Sequence, residues 1–123
     1  PVAGVAGIIH CMLPQASIDP NKARQRPCMF VDTGVAIFLK KLSEAGVSRK
    51  NAIFKAAGCA SVLDSNGVFR IGERNHTVLR KVLWKYEVML KAEDVGGNKS
   101  RTMRHFMHTH ITTINSLGQV KEL

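Results

Sequence analysis

A chain of 123 residues and 13.5 kDa is the size of one domain, long enough to bury ~65% of the surface its unfolded form exposes, so a second independent core is not expected. Hydrophobic residues make up 45% and charged ones 22%, which excludes a disordered tail and a low-complexity or collagen-like chain. Eighteen Lys and Arg against nine Asp and Glu give +9, a field that attracts acidic proteins, nucleic acid and anionic lipid alike and by itself selects none of them.

Residues 2–13 are rich in Val, Ile, Ala and Gly and stop at Pro14, a pattern that predicts a buried strand. Its apolar run, residues 2–9, falls short of the ~20 residues that a bilayer-crossing helix needs. It also lacks the flanking basic segment and small-residue cleavage site of a secretion signal, so a cytoplasmic protein is expected. The sequence opens on Pro1 inside this run and without a methionine, which leads us to expect further sequence upstream. Residues 15–27 mix Pro20, Asn21, Pro27 and charged groups without periodicity and predict an exposed loop. From Thr33 the apolar positions Val35, Ile37, Phe38, Leu39 and Leu42 recur at helical spacing, with Asp32 or Thr33 to cap the start and Gly46 to take the left-handed stop.

Residues 51–57 predict a strand, followed by the small residues Gly58, Cys59, Ala60 and Ser61, which permit close approach, and by a turn over residues 64–67. Asn75 is placed to cap a second helix with Val78, Leu79, Val82, Leu83 and Tyr86 on its apolar face and Arg80, Lys81 and Lys85 on a solvated one. Residues 88–95 predict a strand, Gly96-Gly97-Asn98 a turn, and residues 102–114 an extended segment leading into a Leu117-Gly118 hairpin. The order predicts a single α+β domain of mixed sheets and two main helices.

Cys11, Cys28 and Cys59 form an odd, widely spaced set, and a chain of this size needs no covalent staple, so thiols are expected. His10-Cys11 has the composition of a catalytic dyad, yet neighbours on a strand project to opposite faces. His10 alone, near the end of the strand, reads equally as a catalytic group at the mouth of a cleft or as a hydrogen-bonded structural histidine. On an extended segment only His108 and His110 of the trio His105, His108 and His110 share a face, so no metal is expected there. Gly96-Gly97-Asn98-Lys99-Ser100 lacks the spacing of a phosphate-binding loop. The basic residues are dispersed, with only Phe106 among them as a stacking aromatic, so nucleic acid is not expected as the partner and a basic nucleic-acid binder stays the third alternative; no cofactor is expected.

Four segments in order nonetheless resemble one family. They are Gly7-Ile8-Ile9-His10-Cys11-Met12-Leu13-Pro14, Phe30-Val31-Asp32-Thr33, Ile71-Gly72-Glu73-Arg74-Asn75, and Ala92-Glu93-Asp94-Val95-Gly96-Gly97-Asn98 with Arg101. They are similar to the G-x-x-H-x-x-L-P, Y-x-D-T, I-G-x-R-N and A-E-D-x-G-G-N-x-x-R motifs of the CheD family of chemoreceptor glutamine deamidases. The resemblance implies a fold like that of cytotoxic necrotizing factor deamidases. It also implies hydrolysis of receptor glutamines to glutamate by cysteine and histidine acyl transfer, with His10 as base and acid. It further implies chemoreceptors and a CheC-type phosphatase as partners, with an adaptor that binds them without catalysis as the alternative. The family's L-G-S-C strand with its nucleophilic cysteine has no counterpart here, the chain starting after it. Cys59 stands where the family has glycine, and the three clustered histidines have no family counterpart. Asp32, Thr33 and the Gly96-Gly97-Asn98 turn are expected to shape the fold rather than to do chemistry.

Overall fold

The computed structural model describes residues 1–62 and 69–123. In chain order they form α1 (Pro20–Gln25), α2 (Val31–Glu44), β1 (Phe54–Gly58), α3 (Ile71–Lys85), β2 (Leu90–Val95), β3 (Thr102–Phe106), β4 (Ile111–Ser116) and β5 (Gln119–Glu122), with single 3-10 turns at Ala16–Ile18, Pro27–Met29 and Arg49–Asn51. This is the expected α+β class, with α2 and α3 as its long helices. The turn predicted at residues 64–67 lies outside the described residues. Two compact units emerge, one of Pro1–Ala52 with Arg74–Met89 and one of Ile53–Glu73 with Leu90–Leu123.

In the first unit the strand predicted for residues 2–13 does not form. Gly4 takes a left-handed backbone (φ 66°), Val2, Val5, Ile8 and Met12 are exposed, and among the described residues the segment's strand pairing is one parallel bridge between Leu13 and Phe30. Apolar composition was the whole signal, and without a neighbouring strand along its length it does not produce a ladder. The loop predicted for residues 15–27 holds α1 instead, too short to display a period. Its start follows helix-entry rules, with Pro20 in the first turn and the Asp19 carboxylate accepting from the Lys22 N–H at 3.0 Å.

Helix α2 buries Val31, Val35 and Leu39, one residue per turn on a single face. Its N-cap is Phe30, with no side-chain cap, so neither Asp32 nor Thr33 fills the expected role. Asp32 turns back instead: its carboxylate accepts the Ala16 N–H at 3.0 and 3.2 Å, while the Thr33 hydroxyl donates to the Pro27 carbonyl at 2.6 Å. Helix α3 starts four residues ahead of Asn75, so that residue is not its cap either.

Both long helices end in the same way. After α2 the Val47 N–H donates to the Leu42 carbonyl at 2.9 Å and the Gly46 N–H to that of Ser43 at 3.0 Å; after α3 the Val88 N–H donates to Leu83 at 2.8 Å and the Glu87 N–H to Trp84 at 3.1 Å. These are Schellman ends, which require a left-handed residue, here Gly46 (φ 87°) and Glu87 (φ 56°).

In the second unit β1 and β2 pair in parallel, and β3, β4 and β5 form an antiparallel meander. Residues 102–114 are therefore two strands rather than one extended segment. The chain reverses at residues 107–110, where the His110 N–H donates to the Phe106 carbonyl at 2.8 Å and His110 itself takes φ 58°. The Leu117-Gly118 hairpin forms as expected, with both residues left-handed (φ 51° and 78°), the backbone of a two-residue primed turn. Thr112 and Ile114 of β4 are buried on one face.

Candidate active site

His10 is exposed, and the backbone just after it is tied down. The Met12 and Leu13 N–H groups both donate to the Met29 carbonyl, at 2.8 and 3.0 Å, and the Val31 and Asp32 N–H groups return bonds to the Leu13 and Pro14 carbonyls, at 2.8 and 3.3 Å. Pro14 and Phe30 are fully buried where the two segments meet. The entry to α2 is thus a clamp on the residues that follow His10, and Asp32 and Thr33 hold the loops around it. Those two side chains are engaged in structural hydrogen bonds.

A third attachment was not foreseen. Asn75 is buried, and its Nδ2 donates to the Met12 carbonyl at 3.2 Å, while its Oδ1 is buried with no hydrogen-bond partner among the described residues. The motif around Asn75 thereby touches the motif around His10. The signal available in the sequence was that Asn75 sits in a compact motif of Gly, Arg and Asn rather than beside a helix start.

The cysteines occupy distinct settings, and none is in a disulfide. Cys11 points its sulfur at α2, where a Cβ built on Gly34 would lie 3.1 Å from the Sγ. Cys28 is exposed. Cys59 is half-buried in the second unit with φ 54°; burial pushes its thiol above the ordinary value, Arg101 partly opposes this and Glu93 reinforces it. A thiol held protonated is a poor nucleophile.

The remaining motifs brace the second unit. A Cβ on Gly72 would fall 2.5 Å from the Cys59 carbonyl oxygen and 2.6 Å from that of Ala60, so only glycine lets α3 begin against this backbone. The Arg101 guanidinium lies 3.4 Å from the Asp94 carboxylate and donates to the Gly58 carbonyl at 3.2 Å, and Lys121 approaches Asp94 to 3.3 Å. Burial alone would raise the Asp94 pKa, but the hydrogen bonds and charges of Lys121 and Arg101 outweigh it and hold the carboxyl below its ordinary value. The Gly96-Gly97-Asn98 turn adds Gly96 N–H to Gly58 and Ser61 N–H to Gly97, both at 2.9 Å.

His105 lies on β3 with its Nδ1 3.0 Å from the Thr112 hydroxyl and its ring 6.3 Å from that of His110. His108 and His110 sit in the tight turn rather than on one strand face, which corrects the sequence picture. Among the described residues no group of three His, Cys, Asp or Glu side chains is arranged to hold a metal ion, and no helix is long and apolar enough to cross a membrane.

A profile described as CheD chemotactic sensory transduction matches residues 12–116. The chain belongs to the CheD family. It is 42% identical over 123 residues to the "Probable chemoreceptor glutamine deamidase CheD" of Solibacter usitatus (strain Ellin6076), covering 100% of this chain and 73% of that protein. Identity is 41% over 118 residues to the "Probable chemoreceptor glutamine deamidase CheD 1" of Syntrophus aciditrophicus (strain SB), with 96% and 74% covered. To the "Probable chemoreceptor glutamine deamidase CheD 2" of Anaeromyxobacter dehalogenans (strain 2CP-C) it is 38% over 119 residues, with 97% and 75% covered. The CheD profile spans the α2 clamp, the Asn75 tether and the Asp94–Arg101 brace; His10 lies just ahead of it and within the match to the Solibacter protein.

Proposed function

We propose that this chain is a chemoreceptor glutamine deamidase that hydrolyses a receptor glutamine side chain to glutamate and ammonia, with His10 as its general base and acid. Membership of the CheD family, with three relatives of that printed name at 38–42% identity, carries the reading. The clamped backbone beside an exposed imidazole supports it, because a proton-transfer group must be accessible yet held in place.

The chemistry is acyl transfer. A cysteine thiol gives its proton to His10, and the sulfur attacks the glutamine amide carbon. The imidazolium returns a proton to the nitrogen, the C–N bond breaks and ammonia leaves a thioester. Water, deprotonated by His10, attacks that thioester, and the thiolate departs with glutamate as product. We assign the thiol to a cysteine outside residues 1–123, as the resemblance to the family implies, since none of Cys11, Cys28 and Cys59 lies in an L-G-S-C motif. The same reading makes a CheC-type phosphatase a second partner, the cytoplasm the compartment, and a cytotoxic necrotizing factor-like deamidase the fold relative.

The test is incubation of the protein, extended to include that cysteine, with a purified chemoreceptor fragment, following the one-dalton mass gain of each glutamine converted to glutamate. Conversion that needs both the added cysteine and His10 supports the reading; conversion by residues 1–123 alone, lost in Cys28→Ser or Cys59→Ser, overturns the assignment of the thiol.

A further inference from the structure

Trp84 is the only tryptophan in the chain and sits on α3 84% exposed. Arg80 and Lys81 stand one turn before it and Lys85 directly after it, all exposed, and among the described residues neither Arg80 nor Lys81 has an acidic partner. Tyr86 is flanked by two cations, Arg49 at 5.6 Å and Lys85 at 5.5 Å from its ring centre, and the Arg49 Nη1 fixes the arrangement by donating to the Tyr86 carbonyl at 2.7 Å. Met89, just past the helix end, is 87% exposed. Across residues 77–88 the sequence holds a single acid, Glu87. The cations were expected to be a merely solvated face, but a bare indole in their midst changes what that face can do.

Trp, Tyr, Met and Arg are the side chains that anchor protein interfaces, and a rim of lysines steers an acidic partner towards them. Single-stranded nucleic acid is held instead by several aromatics along a groove, which α3 lacks. The helix also links this face to the proposed site, since Asn75, about 14 Å along its axis from Trp84, holds the segment after His10. An enzyme that modifies one glutamine of a large protein has to recognise more than a side-chain amide common to every protein. Cations recurring along α3 over about 16 Å, from Arg74 to Lys85, match carboxylates recurring at the same rise on a helix laid beside it.

We propose that the α3 face centred on Trp84 and ringed by Arg80, Lys81 and Lys85 docks an acidic helical segment of the chemoreceptor substrate. The inference rests on the deamidase reading and adds to it the surface that selects the substrate. The test mixes this chain with a tryptophan-free chemoreceptor fragment, so that the indole emission reports on Trp84 alone, and measures affinity by calorimetry. Binding should shift the emission to shorter wavelength. Trp84→Ala should weaken affinity by about 30-fold, and Lys81→Glu with Lys85→Glu by about 10-fold with a flatter salt dependence. These positions are exposed, so circular dichroism should show folding unchanged. Receptor binding that leaves the emission in place, or that both variants retain in full, overturns the docking surface and leaves the deamidase reading standing. A chain that binds no receptor fragment overturns the docking surface, while the deamidase reading stands or falls on the mass gain produced by the extended protein. A shift produced by a random DNA oligonucleotide but not by receptor assigns the face to nucleic acid and overturns the proposal.

Discussion

Gly46 and Glu87 occupy the same position in two copies of one motif, the left-handed residue that closes α2 and α3. Glycine takes that backbone freely, whereas an L side chain is strained there by roughly 1–2 kcal/mol, partly offset by glycine's greater freedom when unfolded. Glu87→Gly is expected to raise stability by about 0.5–1 kcal/mol, and Gly46→Ala to lower it by about 1 kcal/mol. Denaturant midpoints of the two variants check this; a Glu87→Gly midpoint below that of the parent would show that the glutamate contributes something beyond its backbone.

His10→Ala, in the protein carrying the nucleophile, is expected to slow ammonia release by ~10²- to 10⁴-fold. Because His10 is exposed, its thermal midpoint should stay within a degree or two of the parent's, about what surface substitutions do. Full turnover in the variant, or a loss that merely tracks unfolding, returns His10 to a structural role.

Asn75→Ala removes the donor to the Met12 carbonyl from a partly buried place and is expected to cost about 1 kcal/mol. It should also lower kcat more than it raises KM, since the segment beyond His10 loosens while the docking surface is untouched. A KM effect alone would place Asn75 in substrate binding instead.

Gly72→Ala drives a Cβ into backbone oxygens that have no side-chain freedom to yield, at 2.5 and 2.6 Å. A loss of about 2–3 kcal/mol follows from overpacking of this kind. Urea denaturation measures it, and a neutral result would mean that the start of α3 shifts cheaply.

Asp94 sets a dependence on pH. Its folded pKa is depressed below the ordinary 3.8, so its contribution to stability is fully present above the unfolded value and disappears as pH falls through the folded one. Asp94→Asn should therefore be less stable than the parent by up to about 1 kcal/mol at pH 7, solvent screening keeping the figure small. The difference should shrink steadily below about pH 4. A gap that stays constant to the lowest pH at which both fold would show that geometry, not charge, is what Asn fails to supply.

Periodicity carried the long helices and the turn at Leu117-Gly118, because those elements are decided by neighbours three or four residues apart or by two adjacent backbones. It failed where a distant partner decides. The residues around His10 are shaped by Met29 and Asn75, and nothing local in an apolar run announces that its amides will meet one carbonyl rather than a ladder. Asp32 has the composition of a cap and is used as a brace on Ala16, a contact across a loop that carries no period. Of the candidate site, His10 was legible only through its motif. The tether at Asn75 is visible as a motif without a role, and no spacing in the sequence announces that Trp84 is exposed.

The chain visits its two units in alternation, entering the second at Ile53, returning to the first for Arg74–Met89, and ending in the second. On the ribosome, then, the opening 52 residues emerge without the helix that completes them. The Met12 carbonyl waits for Asn75, and β1 waits for β2 across the intervening α3, whereas the β3–β4–β5 meander can close on itself as it appears. Organisation of the His10 segment is thus a late event in biosynthesis, and a nascent chain stalled before residue 89 would display the imidazole with no defined setting in which to act.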